Sequence, residues 1–254
     1  MITLKRVHLI NTSLVLVLVL LAVASYIGWY RYHHVNDFSQ AQVDQLQIDA
    51  GNGLDKDALR KLRTAAKQNQ VLAQNALGNV YLQYKNMSLA LHWLDRAAQN
   101  NSNPARVSLG KLYLQGSIGV GRNYTKALSY FQPAAEDGHA AAAYYLGIMY
   151  KNGYGVETDA GQAAHWFKMA ADQQLPSAMF MLANAYRAGE GVAQDNQTAL
   201  KLYESAAEME LPEAIQALAI AYHNGELGLQ PDAAAYQHQM LEIAHALKHP
   251  AQVP

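Results

Sequence analysis

The chain has 254 residues, 19 Lys and Arg against 20 Asp and Glu, and a formal net charge of −1. That balance gives no general attraction for nucleic acid or for acidic membrane surfaces. It has no cysteine, which excludes disulfides, thiol catalysis, cysteine-ligated metal and a cysteine-linked lipid anchor.

From Val7 to Tyr30 there is no Asp, Glu, Lys or Arg. As one helix this stretch would reach about 36 Å, enough to cross a hydrocarbon core of about 30 Å. Lys5 and Arg6 precede it, and Tyr26, Trp29, Tyr30 and Tyr32 close it like an interfacial aromatic belt. Residues 1–6 are therefore expected to be a cytoplasmic tail and 7–30 a transmembrane signal anchor, with everything after Arg31 on the far side. The alternative is a signal peptide cleaved after Ala24, at the small-residue pattern Ala22-Val23-Ala24. The apolar run continues past that point, which favours the anchor. Residues 31–54 are polar and unrepetitive and are expected to be a linker or stalk, with one short helix around Ser39–Ile48 and a break at Gly51-Asn52-Gly53.

Beyond the linker the chain is periodic. Tyrosines stand at Tyr81, Tyr113, Tyr150, Tyr186 and Tyr222, spaced 32, 37, 36 and 36 residues apart. Four residues before each is a leucine (Leu77, Leu109, Leu146, Leu182, Leu218), and three before each a small residue (Gly78, Gly110, Gly147, Ala183, Ala219). A fixed period of this length marks a stacked repeat protein. In each unit Ala, Leu and Tyr share one face of a first helix. The small residue lets a second helix approach closely.

In the third unit Gly153 is expected to end the first helix in a left-handed conformation, with Gly155 continuing the turn; Gly189 and Gly191 fill these slots in the fourth. Asp159, with Asn86, Asn123, Asp195 and Asp232, is expected to cap the second helix. The second helix then carries Ala164, Phe167, Ala170 and Ala171, or Leu200, Tyr203, Ala206 and Ala207 one unit on. The first unit lacks the glycine turn, with Tyr84-Lys85 in its place. The expected division is a half-repeat cap at 55–72, repeats at 73–100, 103–138, 139–174 and 175–210, a fifth, C-terminal capping repeat at 211–246, and a tail at 247–254. The last helix, with Gln237 and Met240 in its core slots, is expected to be a polar, solvent-facing end.

The order A-x3-LG-x2-Y-x2-G-x-GV-x2-D-x4-AL-x-WF-x2-AA, as in AYYLGIMYKNGYGVETDAGQAAHWFKMAA, resembles the Sel1-like repeat, a cousin of the tetratricopeptide repeat. The resemblance implies an all-α, right-handed solenoid, preceded here by the transmembrane helix. It also implies a non-enzymatic adaptor that binds proteins, in bacterial envelopes or in endoplasmic-reticulum quality control, with no cofactor, nucleic acid or small-molecule substrate. The expectation is a bacterial inner-membrane protein with periplasmic repeats, or a soluble periplasmic one if the signal is cleaved. Its partners would be one or more envelope proteins. The second reading is a periplasmic immunity protein that neutralises a secreted toxic effector, and the third a serine β-lactamase-like enzyme.

Partner-facing positions on the concave side of such an array are those six and two before the tyrosine and two after it, which form one helical stripe. Among them Lys111, Tyr144, Ile148, Asn152, Phe180, Asn184, Gln216 and Ile220 form the candidate protein-binding ladder. Aromatic anchors beside amides are what interface hot spots look like, although Tyr144 and Phe180 would equally serve as packing between repeats. Other motifs carry less. Ser108-Leu109-Gly110-Lys111 spells S-x-x-K but sits in the repeat frame with no second catalytic motif. GSIGVGR (residues 116–122) lacks the Lys-Ser/Thr pair of a phosphate loop and comes after a helix. His238, His245 and His249 share a face without a tightly spaced carboxylate, and His165-Trp166 fits core packing.

Overall fold

The computed structural model describes residues 15–26, 37–52 and 55–247. They are helical apart from turns and one isolated bridge, Ser117 to Val120, which closes the turn of the second repeat. Two compact units divide the chain, 1–76 and 77–254.

In the first unit, residues 15–26 are helical (α1), with their large apolar side chains exposed. Among the described residues no helix is long and apolar enough to cross a membrane. The rest of the expected span, 7–14 and 27–30, lies outside the described residues. Part of the segment expected to be a linker is folded. Ser39 and Gln42 form a capping box that starts α2 (Gln40–Gly51), and Val43 and Ala50 are buried. Asp55 caps α3 (Lys56–Lys67), whose Ala58, Leu62, Ala65 and Ala66 are buried while its cations face outward. α2 and α3 pack as a pair, so α3 is the second helix of a pair rather than an isolated half-repeat. α2 is the short helix expected around Ser39–Ile48, running on to Gly51, where the expected break begins. Its packing against α3 was not expected, because it buries only two residues and lacks the Leu-Gly and tyrosine slots. The division between units falls within α4 (Val71–Gln83), and Gln74, buried, donates from Nε2 to the Ala66 carbonyl.

From Leu77 on, each unit is a helix pair with the next pair stacked on it. α5 (Met87–Gln99) succeeds α4; then come α6 (Asn103–Gln115) with α7 (Tyr124–Glu136), α8 (Ala140–Asn152) with α9 (Ala160–Ala171), α10 (Pro176–Ala188) with α11 (Asn196–Glu208), and α12 (Pro212–Asn224) with α13 (Ala233–Ala246). The reason for glycine at the small slot is geometric. A Cβ on Gly110 or Gly147 would lie 2.5 Å from the ring of Phe131 or Phe167, and one on Gly78 would lie 2.6 Å from Leu94 Cγ. Each first helix is pressed against the large residue of its own second helix, and Phe131, Phe167 and Tyr203 are fully buried.

The turns are built as pairs of constraints. Gly153, Gly189 and Gly225 end their first helices in the left-handed region, at φ 70°, 71° and 70°. Gly155 and Gly191 are also left-handed, and a Cβ there would meet Tyr124 of α7 at 2.9 Å or the Ala160 carbonyl oxygen of α9 at 2.0 Å. Each such turn therefore sits on the start of the preceding unit's second helix. In the first repeat Lys85 itself takes φ 55° in place of a glycine. Asn86, Asn123, Asp159, Asp195 and Asp232 all accept backbone N–H bonds at the starts of α5, α7, α9, α11 and α13.

The final helix is solvent-facing, and its exposed residues are apolar as well as polar. α13 fully buries only Ala246, and it leaves Met240, Leu241 and Leu247 at 46%, 72% and 66% exposure. Met240 occupies the slot that Phe131, Phe167 and Tyr203 fill inside the stack, but no further repeat among the described residues covers it.

Candidate functional site

All eight ladder residues stand on first helices of the second unit: Lys111 on α6, Tyr144, Ile148 and Asn152 on α8, Phe180 and Asn184 on α10, Gln216 and Ile220 on α12. Their chemistry is graded along the stack. Lys111 is half-buried, with Nζ 5.6 Å from the ring centroid of Tyr145, and its burial lowers the ammonium pKa. Tyr145 is buried and stacks on Phe131 of the preceding unit at 4.9 Å. Burial, with a smaller effect from Tyr144, pushes its phenol up to about 12.

Tyr144 and Phe180 are half-buried. Tyr144 meets Tyr145 edge-on at 5.3 Å and leans on Phe167 at 6.1 Å. Phe180 leans on Tyr203 at 5.7 Å. Each therefore rests one face on its own pair's second helix and keeps part of its ring accessible. Burial raises the Tyr144 pKa, and the Glu213 carboxylate adds to the shift. Ile148 is half-buried against the same core.

The amides split into two kinds. Asn184 is committed internally: its Nδ2 donates to the Phe180 carbonyl at 3.0 Å, and its Oδ1 accepts from the buried Tyr203 hydroxyl at 2.8 Å. Asn152 is exposed and donates to the Ile148 carbonyl at 2.8 Å. Gln216 is exposed and Ile220 is 44% exposed. The accessible part of the ladder is thus an aromatic and aliphatic strip from Tyr144 to Ile220 edged by Asn152 and Gln216. A strip of that composition suits a protein surface more than a small polar molecule.

The competing motifs have ordinary partners. The Ser108 hydroxyl donates to Asn79 Oδ1 at 3.3 Å. Residues 116–120 form the bridged turn, with Ser117 and Val120 exchanging backbone hydrogen bonds at 2.8 and 2.9 Å. His238 and His245 lie beside Glu242 and Glu210, and His249 lies outside the described residues. Among the described residues no group of three or more His, Asp or Glu could hold a metal. Trp166 is half-buried on α9.

Sequence reading missed two stacked tyrosine pairs, one within the second repeat and one between the second and third. Tyr113 stacks on Tyr130 at 5.9 Å with the Lys126 ammonium over the Tyr113 ring, and Tyr124 stacks on Tyr154 at 4.8 Å. The Tyr130 hydroxyl donates to Asp95 Oδ1 at 2.7 Å, and burial together with that bond raises its pKa. The one available signal was Tyr154 between the two turn glycines, close enough in sequence to Gly155 to share its contact with Tyr124.

Comparison with known proteins decides the family. The Sel1 repeat model matches residues 71–102, 104–139, 140–175, 176–211 and 212–235. The chain belongs to the Sel1 repeat family. Among solved structures, the Sel1 repeat protein from Oxalobacter formigenes is 29% identical, with a TM-score of 0.74 over 82% of this chain and 88% of that one. The immunity protein PA5088 from Pseudomonas aeruginosa shares the fold at 17% identity, with a TM-score of 0.58 over 82% of this chain and 83% of that one. The ERAD-associated E3 ubiquitin-protein ligase component HRD3B from Arabidopsis thaliana is 31% identical over 132 residues, 46% of this chain and 21% of that protein. The chain spans about a fifth of the length of that relative.

Proposed function

We propose that this Sel1 repeat protein is a non-enzymatic adaptor that binds a protein partner on its first-helix ladder in the bacterial cell envelope. The observation that carries this reading is the strip from Tyr144 through Ile148 and Phe180 to Ile220. Its rings are braced from behind by Phe167 and Tyr203 and leave one side accessible, edged by exposed amides. Preorganised aromatic anchors lose little freedom on binding, which is why they dominate interface energetics. A relative that is a component of a larger assembly supports a scaffold role over a solitary enzyme. The apolar run of residues 7–30 supports a single-pass anchor with the repeats in the periplasm; cleavage after Ala24 would instead release them.

The test is a crosslinking pull-down from envelope extract with the full chain and with Tyr144→Ala/Phe180→Ala. The adaptor reading expects a partner held by the wild type and lost by a variant whose circular dichroism is unchanged. The same partner held equally by both would move binding off the ladder. The immunity reading uses the same surface and is separated by its partner, a single toxic enzyme bound tightly and silenced. Nitrocefin turnover lost on Ser108→Ala would instead favour the enzyme reading.

A further inference from the structure

The outward face of α3 is the most one-sidedly charged surface among the described helices. The helix carries five cations and one carboxylate, Asp57, which pairs with Arg60 and Lys61. Lys56, Arg60, Arg63 and Lys67 recur at i, i+4, i+7 and i+11, so they form one stripe, and all four are exposed. Ala58, Leu62, Ala65 and Ala66 occupy the opposite, buried side. α2 contributes Asp44 and Asp49 to the same unit, each taken by a glutamine side chain of its own helix.

The chain's path ties this stripe to the apolar N-terminal segment. The Phe38 N–H donates to Gln70 Oε1 at 3.2 Å. Phe38 also borders, with Arg60, Lys61, Thr64, Ala65 and Gln68, an open cavity of about 480 Å³ along α3. Only residues 31–37 separate this pinned point from Tyr30, and fully extended they span no more than about 28 Å. If residues 7–30 lie in a bilayer, Phe38, beside the end of α3, stays within about 28 Å of that bilayer's surface, so the stripe can reach anionic lipid, which attracts it within about a Debye length.

We infer that the Lys56–Arg60–Arg63–Lys67 stripe of α3 is a docking surface for the anionic headgroups of the membrane from which residues 7–30 emerge. The inference rests on the anchor reading of that segment. Contact there would restrict the orientation of the first unit on the membrane, beyond what a single anchor allows.

The chain has no cysteine, so Thr64→Cys offers a single labelling site at the edge of the stripe. The labelled full-length protein would be reconstituted into vesicles of phosphatidylcholine, or of phosphatidylcholine with about one-third phosphatidylglycerol, both containing a lipid with a nitroxide headgroup. Quenching is expected to be about twofold or more stronger in the anionic vesicles, to fall as salt is raised, and to be lost in Arg60→Glu/Arg63→Glu/Lys67→Glu with helix content unchanged. Co-flotation with both vesicle types but equal quenching would overturn the docking surface and leave the anchor standing. Co-flotation and quenching with anionic vesicles alone would end the anchor reading and, with it, the docking surface argued from it. Flotation with neither would end both.

Discussion

At the residue scale the two turn glycines answer to different constraints. Gly189 needs a left-handed backbone, and a Cβ there would find its nearest neighbour, Gln194 Cβ, at 3.4 Å. Gly191 needs the same backbone, and its Cβ would overlap the Ala160 carbonyl at 2.0 Å. Gly189→Ala is therefore expected to cost about 1 kcal/mol, and Gly191→Ala about 3 kcal/mol or more, because the turn must lift off α9. Thermal unfolding checks this, and equal losses would contradict the stacking geometry. The spacing of both glycines was legible in the sequence. Which of them is tight was not, because Ala160 belongs to the preceding repeat. Tyr145 adds a pH dependence. Its folded pKa, about 12, lies above the ordinary tyrosine value, so the neutral phenol is favoured in the folded state. The stabilisation is complete below about pH 10 and is lost as pH rises toward 12, by about 1 kcal/mol per pH unit. Tyr145→Phe should flatten the fall in urea midpoint between about pH 9 and 11.5; an unchanged slope would argue against a buried phenol there.

At the element scale the second helices were readable and the first helices less so. Each second helix opens with a side-chain cap, and Asp195 is the most engaged: it accepts from the Gln197 and Thr198 N–H groups at 3.0 Å each and from the Thr198 hydroxyl at 2.6 Å. Asp195→Ala is expected to cost about 2 kcal/mol and Asp159→Ala, which loses one such bond, about 1 kcal/mol, by chemical denaturation. Reversal of that order would mean the extra bonds add nothing. By contrast α8, α10 and α12 begin at His139, Leu175 and Leu211, which give no side-chain cap. The residue before each is left-handed, and only Gly138 of the three advertises this; Gln174 and Glu210 both adopt φ 60°. Composition gave no sign of these turns because packing, not local preference, holds them. α2, expected as a short helix around Ser39–Ile48, forms there and runs on to Gly51, held by a capping box and two buried residues without any repeat signature.

At the scale of the whole molecule, the repeat frame announced the fold, since leucine, small residue and tyrosine recur with the period of a helix pair. The ladder was legible only as a list of positions. That Asn184 is locked between Phe180 and Tyr203 depends on a second-helix tyrosine in the fourth unit, where the third unit has Ile148 and Phe167 in the equivalent slots. The exposure of α13 likewise depends on its neighbours in space rather than on its own residues. The central claim is that the first-helix ladder holds a protein partner, and in-cell photocrosslinking tests it most directly. A crosslinking side chain placed at Asn152 or Ile220, both exposed on first helices, should yield a discrete adduct of one size. The same group at Gln132 or Lys201, exposed on second helices, should yield none. An adduct from the second-helix positions, with none from Asn152 or Ile220, would contradict the account.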